Sequence, residues 1–229
     1  GTATANELIT VTPINDNPVA VNDNYTVAED ATVTLTPLAL DSDVDGDTLT
    51  ITSINGTALT GGVQSISVTN GTVNISATGV ITFTPTTNFN SATAISIPYV
   101  ISDGHGGTAT ANELITVTPI NDNPVAVNDN YTVAEDATVT LTPLALDSDV
   151  DGDTLTITSI NGTALTGGVQ SISVTNGTVS ISATNVITFT AGLNYNGAIS
   201  FPYVISDGHG GTATANELIT VTPVNDNPV

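Results

Sequence analysis

Two β-sandwiches in tandem, with no helix longer than one or two turns, are what the sequence predicts, and three observations carry the prediction. The first is self-similarity: residues 1–73 recur without a change at 107–179, an offset of 106. The second is texture. Short segments rich in Val, Ile and Thr alternate in polarity with a period of two, and turn residues interrupt them about every 8 to 12 positions. The third is size. Apolar residues make up 39% of 229 residues, enough for one or two cores of ordinary dimensions, which argues against disorder.

The repeat comes first because it sets the frame for every local reading. Beyond residue 73 the copies differ slightly: Asn74 becomes Ser180, Gly79 becomes Asn185, Pro85-Thr86-Thr87 becomes Ala191-Gly192-Leu193, and Thr93-Ala94 has no counterpart. A third copy starts at Gly211 and runs to Val229. At about 105 residues the unit is a whole domain, not a solenoid repeat of about 20 to 50.

Within the first copy the alternation predicts strands near Val19–Val27, Thr32–Leu38, Thr48–Ile54, Val63–Thr69, Thr72–Ala77, Val80–Thr84, Ile95–Ser102 and Ala109–Thr118. Asn70-Gly71 between two such runs suits a type I′ hairpin, whose central residues both need positive φ. Seven or eight strands in about 100 residues fit an immunoglobulin-like Greek-key sandwich, with a Greek-key barrel as the second candidate.

A cyclic repeat needs a phase. Pro13 and Pro18 bracket Ile14-Asn15-Asp16-Asn17, a polar stretch without apolar alternation, and prolines there stiffen a linker and cannot join a central strand. This places linkers at Pro13–Pro18, Pro119–Pro124 and Pro223–Pro228. Residues 1–17 then read as the last strand and linker of a preceding repeat, 18–123 and 124–223 as two complete domains, and 224–229 as a linker onward. The orphan strand over residues 1–12 is expected to fray or to pair with a neighbour, as in a piece of something longer.

Charge narrows the function. The chain has no Lys or Arg and 22 Asp plus Glu, a formal charge of −22, so counter-charge has to come from bound cations. Such a chain cannot clamp phosphates or sit by charge on an anionic leaflet, which excludes nucleic acid and direct membrane contact as partners. With no Cys there is no disulfide, thiolate nucleophile or cysteine zinc site, and a metal is the alternative staple. No run of about 18 apolar residues is present to span a bilayer.

The densest acids are Asp41, Asp43, Asp45 and Asp47 around Gly46, repeated as Asp147, Asp149, Asp151 and Asp153 around Gly152. Carboxylates at alternate positions can converge on one hard cation at about 2.3 to 2.6 Å while glycine permits the sharp turn, so the spacing points to Ca²⁺. The twelfth position is Thr52 (Thr158) where an EF-hand has a bidentate Glu, so an acid from elsewhere must complete the shell. The competing explanation, a solvated acidic turn, is disfavoured by the mutual repulsion of four unpaired acids in seven residues.

Asn121-Asp122-Asn123-Pro124, then Ala134-Glu135-Asp136, then the acidic loop from Asp147 to Asp153 follow the order of a cadherin linker, its first-turn Glu and its Asp-x-Asp loop. With Ser102–Ala111 before the last strand, the whole unit resembles the cadherin-like extender repeats of giant bacterial RTX adhesins, in particular extender regions of ice-binding adhesins of marine bacteria. The chain departs from cadherins at Pro119, where their linker begins with Asp, and at Pro85–Ala94, which has no acidic counterpart of their Asp-Arg-Glu element. The resemblance implies monomeric, calcium-rigidified sandwiches at the bacterial cell surface, with adjacent repeats of the same chain as partners, projecting a distant binding tip.

Sandwich topology then assigns acids to ends: the loop after the first strand lies at the C-terminal end, and the loops after the second strand and before the last lie at the N-terminal end. A junction would gather Glu29, Asn121, Asp122, Asp147, Asp149, Asp151 and Asp207. Asp16, the Asp41–Asp47 loop and Asp103 form the same set without an upstream Glu, and Glu135 with Asp226 the same set without a downstream loop. Asp23 and Asp129 fit either a cation ligand or a turn acid. Glu7, Glu113 and Glu217 fall in phase with apolar positions, which reads as a strand-start bulge or a cation ligand. His105 and His209 sit between glycines in a turn and receive no chemical role.

Three function classes compete. A spacer gains from near-identical tandem copies, because length is its function. An adhesive module, homophilic or ice-binding through rows such as Thr32-Val33-Thr34, would need a flat Thr array, which sandwich twist opposes. An enzyme of the carboxylate-pair type would need two acids facing a concave pocket about 5 to 10 Å apart; the acids here have metal-ligand spacing instead.

Overall fold

The computed structural model describes residues 1–225. The described residues form two compact units, Gly1–Ile120 and a second beginning at Asn121, and all regular structure in them is β. In the first, one sheet has the order β1-β9-β8-β3-β4 and the other β2-β7-β6-β5. The first sheet comprises β1 (Asp23–Ala28), β3 (Thr50–Ile54), β4 (Thr57–Ala58), β8 (Ser91–Ser102) and β9 (Thr108–Thr118). The second comprises β2 (Val33–Leu35), β5 (Gln64–Val68), β6 (Gly71–Ile75) and β7 (Ile81–Pro85). The second unit repeats the pattern in β10–β18, with sheets β10-β18-β17-β12-β13 and β11-β16-β15-β14. The bounds are β10 Asp129–Ala134, β11 Thr138–Leu141, β12 Thr156–Ile160, β13 Thr163–Ala164, β14 Gln170–Val174, β15 Gly177–Ile181, β16 Ile187–Ala191, β17 Gly197–Ser206 and β18 Thr212–Thr222.

Each strand buries alternate residues, and the two inner faces make one core per unit. Ile54, Val73, Phe83, Tyr99, Ile101 and Ile115 lie within the first core, and Phe83 and Tyr99 are fully buried. The second core gains an aromatic pair, Phe189 and Phe201, with ring centroids 6.1 Å apart, because Phe201 stands where the first unit has Ile97. The ladders are antiparallel except β1 on β9 and β10 on β18, which are parallel. That parallel pairing brings the acids near the start of each unit beside those of its last strand.

The structure corrects three local readings. The hairpin loop is Thr69–Asn70, with Val68 paired to Gly71, and Asn70 alone has positive φ (57°). Gly71 is a strand residue over the Phe83 ring, where a Cβ would stand 2.4 Å from ring carbon Cε2. Packing, not turn chirality, is what demands glycine there. Glu113 marks no bulge: β9 keeps unbroken register past it on both neighbours, and it takes an inward position in phase with Ala111, Ile115 and Val117. The short strand Thr57–Ala58 was not expected; two residues are too few to show periodicity. Residues 1–18 carry no strand, and Leu8, Ile9 and Val11 stand exposed.

Candidate metal centre

The acidic loop between β2 and β3 is shaped by its own carboxylates. Asp43 Oδ1 accepts the Asp45 N–H at 2.8 Å and the Asp47 N–H at 3.3 Å, an Asx-type closure completed by Gly46 at φ 81°. Two backbone bonds between Val19 and Ser42 (2.7 and 3.0 Å) clip the loop to the start of the domain. Asp16 adds its N–H to Asp45 Oδ2 at 2.8 Å.

Asp103, 3% exposed between β8 and β9, completes the group. Its carboxylate accepts the N–H groups of His105 (2.8 Å) and Gly107 (2.9 Å), and the Asn15 side-chain amide donates to it at 2.8 Å. The Asn15 bond holds this carboxyl below the usual range, with the His105 and Gly107 donors adding to it against the opposing effect of burial. Gly107 is required sterically: a Cβ there would lie 2.1 Å from Asp103 Oδ2. One oxygen each from Asp43, Asp47 and Asp103 lie within 4.8 Å of one another.

The second unit rebuilds this arrangement. Asp149 Oδ1 accepts from Asp151 (2.9 Å) and Asp153 (3.4 Å), the Asp122 N–H donates to Asp151 Oδ2 (2.8 Å), and Asn121 donates to Asp207 (2.8 Å). The Asn121 bond likewise lowers the Asp207 carboxyl. Here Asp149, Asp151 and Asp153 bring oxygens within 4.8 Å of one another. Asp43 Oδ2 and Asp149 Oδ2 are buried and lack a hydrogen-bond partner. Converging carboxylates with orphaned buried oxygens, in a chain without Lys or Arg, fit a hard divalent cation.

The other expected ligands separate into two further places. Glu29, 1% exposed, accepts the Ile120 N–H at 2.6 Å and the Asn90 amide at 3.0 Å. It thus lies beyond the Thr118 end of β9, whereas Asp103 precedes the Thr108 end. Glu135 likewise accepts the Val224 N–H at 2.5 Å. Asp226 lies outside the described residues.

Asp23 and Asp129 sit on β1 and β10, in register with Glu113 and Glu217. Asp41, at the start of the acidic loop, accepts the Val21 N–H (2.8 Å) and the Tyr99 hydroxyl (3.0 Å) at Oδ1, and Asp147 accepts the Val127 N–H (2.8 Å) and the Tyr203 hydroxyl (3.0 Å) in the same way. Burial first, then the Asp23 and Asp41 charges, push Glu113 up to about 7 against the opposing influence of Tyr25. Burial and the Asp129 and Asp147 charges push Glu217 up to about 8. Asp23 and Asp129 are also raised, by burial and then by Asp41 and Asp147.

Sequence reasoning passed over Asn15, although its repeat Asn121 was named. The histidines, given no chemical role from sequence, stand beside the acidic loops: His105 Nδ1 lies 3.4 Å from Asp47 Oδ2, and His209 Nδ1 lies 2.9 Å from Asp153 Oδ2. The repeat offset would have found Asn15; nothing in the local sequence joins His105 to a loop 58 residues earlier.

The sequence profile of a bacterial Ig domain matches residues 15–117 and again 121–222. No curated protein matches the sequence. Among solved structures, the endo-fucoidan hydrolase MfFcnA4 of glycoside hydrolase family 107 aligns at 20% identity and TM-score 0.32, over 91% of this chain and 29% of that one. The EC1-2 fragment of human mucin-like protocadherin aligns at 16% identity and TM-score 0.47, over 90% and 98%. EC22-24 of mouse cadherin-23 aligns at 14% identity and TM-score 0.46, over 91% and 65%.

Proposed function

The chain belongs to the bacterial Ig domain family, in two tandem copies, and we propose that it is a calcium-binding structural extender of a bacterial cell-surface adhesin. Bacterial Ig domains are typically non-catalytic modules of the extracellular surface, which suits both the spacer role and the location. The observation that carries the calcium reading is the pair of orphaned buried oxygens, Asp43 Oδ2 and Asp149 Oδ2, each inside a three-carboxylate group.

Calcium supplies charge and coordination at these loops; the chain supplies the attachment of its linkers to them. Asn15 and Asp16 bond to Asp103 and Asp45, and Asn121 and Asp122 bond to Asp207 and Asp151. A cation that fixes the loop carboxylates therefore also fixes the residues that enter each domain. In a long array this restrains every linker, and a string of domains becomes a spacer of set length.

Small-angle scattering of the full chain, with millimolar Ca²⁺ and with chelator, tests this reading. The expected result is a larger maximum dimension with calcium. It should be lost in Asp149→Asn/Asp151→Asn and kept in Asp43→Asn/Asp45→Asn. Profiles indifferent to calcium, or equal loss from both variants, would overturn the extender role.

A further inference from the structure

Asp41 opens the acidic loop, and the spacing of the loop offers it as a cation ligand alongside Asp43, Asp45 and Asp47. The geometry gives it other partners. Its Oδ1 accepts the Val21 N–H at 2.8 Å and the Tyr99 hydroxyl at 3.0 Å, and its Oδ2 lies 3.1 Å from the same hydroxyl. A carboxylate oxygen that takes an N–H and an O–H has used both of its lone-pair sites, so Oδ1 has none left for a metal. Asp147 is held identically, by the Val127 N–H at 2.8 Å and the Tyr203 hydroxyl at 3.0 and 3.1 Å. Among the described residues, the carboxylates whose oxygens gather within 4.8 Å of one another are Asp43, Asp47 and Asp103 in one unit and Asp149, Asp151 and Asp153 in the other. Asp41 and Asp147 belong to neither group.

The two tyrosines are fully buried and stand on β8 and β17, the strands that end one residue before Asp103 and Asp207. Carbonyl oxygens compete for each hydroxyl: Val21 O lies at 2.9 Å from Tyr99, and Val127 O and Pro143 O lie at 2.9 Å from Tyr203, with Asp129 Oδ2 at 3.4 Å. One phenol carries one hydrogen, and the nearer carboxylate, being charged, is the stronger acceptor. A ring packed in the core makes that donor a fixed point. Asp41 precedes Ser42, whose two backbone bonds with Val19 clip the loop, and then Asp43, whose Oδ2 is buried without a partner. In the first unit, one strand therefore carries the hydroxyl that grips the start of the loop and leads directly into Asp103, the acid that completes the metal group.

We infer that Tyr99 with Asp41, and Tyr203 with Asp147, are positioning residues for the metal loops, and that neither aspartate ligates the ion. The inference rests on the calcium reading of those loops. By tying the start of the loop to the core, the pair keeps Asp43 and Asp47 converged before an ion arrives, which lowers the ordering cost of binding.

The same substitution at positions two residues apart tests this. Ca²⁺ is titrated calorimetrically into the full chain at a temperature where circular dichroism shows each variant folded. Asp41→Asn/Asp147→Asn should bind as many ions as the parent, because the Asn carbonyl oxygen accepts the same N–H and hydroxyl, whereas Asp43→Asn/Asp149→Asn should bind fewer. Tyr99→Phe/Tyr203→Phe, which keeps the ring, should keep the ion count and bind about 10- to 100-fold more weakly. A role confined to core packing would lower the Tm in chelator and leave that affinity alone. Equal ion counts in the two Asn variants overturn the inference, and unchanged affinity in the Phe variant overturns the role of the phenol. A parent chain that binds no Ca²⁺ removes the calcium reading itself. The Asn comparison decides the place of Asp41 even if the Phe variant does not fold.

Discussion

Asp23 and Glu113 occupy paired positions on the parallel strands β1 and β9, two carboxylates side by side in the interior of a sandwich. An acid whose pKa in the fold exceeds its unfolded value stabilises the fold while protonated. Its contribution is complete below the unfolded pKa and is lost as pH rises through the folded one. With Glu113 pushed up to about 7 and Glu217 to about 8, metal-free protein should lose stability from about pH 4.5 to 8. Calorimetry in chelator should show a falling Tm over that window, flattened in Glu113→Gln/Glu217→Gln. A flat wild-type profile would refute the assignment.

Calcium should raise the Tm of the native chain strongly. A ligand that binds only the folded state adds about 2.7 kcal/mol per site at a hundredfold excess over Kd, and extracellular calcium modules have Kd of about 10⁻⁴ to 10⁻³ M. The rise should therefore appear at millimolar and not micromolar calcium, and magnesium should substitute poorly because it demands smaller, octahedral sites. A Tm indifferent to chelator would remove the calcium reading.

Gly107→Ala should displace Asp103 from the metal group, since the new Cβ would lie 2.1 Å from Asp103 Oδ2. Asn15→Ala should act more mildly by removing the 2.8 Å amide bond to that carboxylate. Loss of such orienting partners typically weakens metal affinity by about 10- to 100-fold. Titration calorimetry on each variant should show weakened binding in the first unit with the second unit's sites unchanged, because Asn121 and Asp207 are untouched.

Phe83→Ala should cost about 3 to 5 kcal/mol, the range for a large aromatic removed from a packed core. It also strips the ring that covers Gly71, so Gly71→Ala, disruptive alone, should cost less in the Phe83→Ala background. A double-mutant cycle by urea unfolding reads that coupling directly.

The number of domains, their all-β class, most strand positions and the acidic loops are legible in the residues alone, because they rest on period-two alternation, turn residues and exact repetition. The sequence also singles out Asp103, Asn121 and Asp207, which the fold brings into hydrogen-bonded groups beside the acidic loops. What it could not supply was which distant strands pair. Only the parallel register of β1 on β9 turns Glu113 from a residue out of pattern into the neighbour of Asp23, and only the loop packing sets His105 against Asp47.

The limit is sharpest where the sequence does not change at all. Gly1–Thr12 and Gly107–Thr118 are identical, yet the first carries no strand and leaves Leu8 and Ile9 exposed, while the second contains β9, which lies between β1 and β8 with Ile115 fully buried. Period-two alternation creates the capacity to be a strand. The strand itself forms where β1 and β8 supply the ladder partners for its N–H and C=O groups and a core takes up its apolar face.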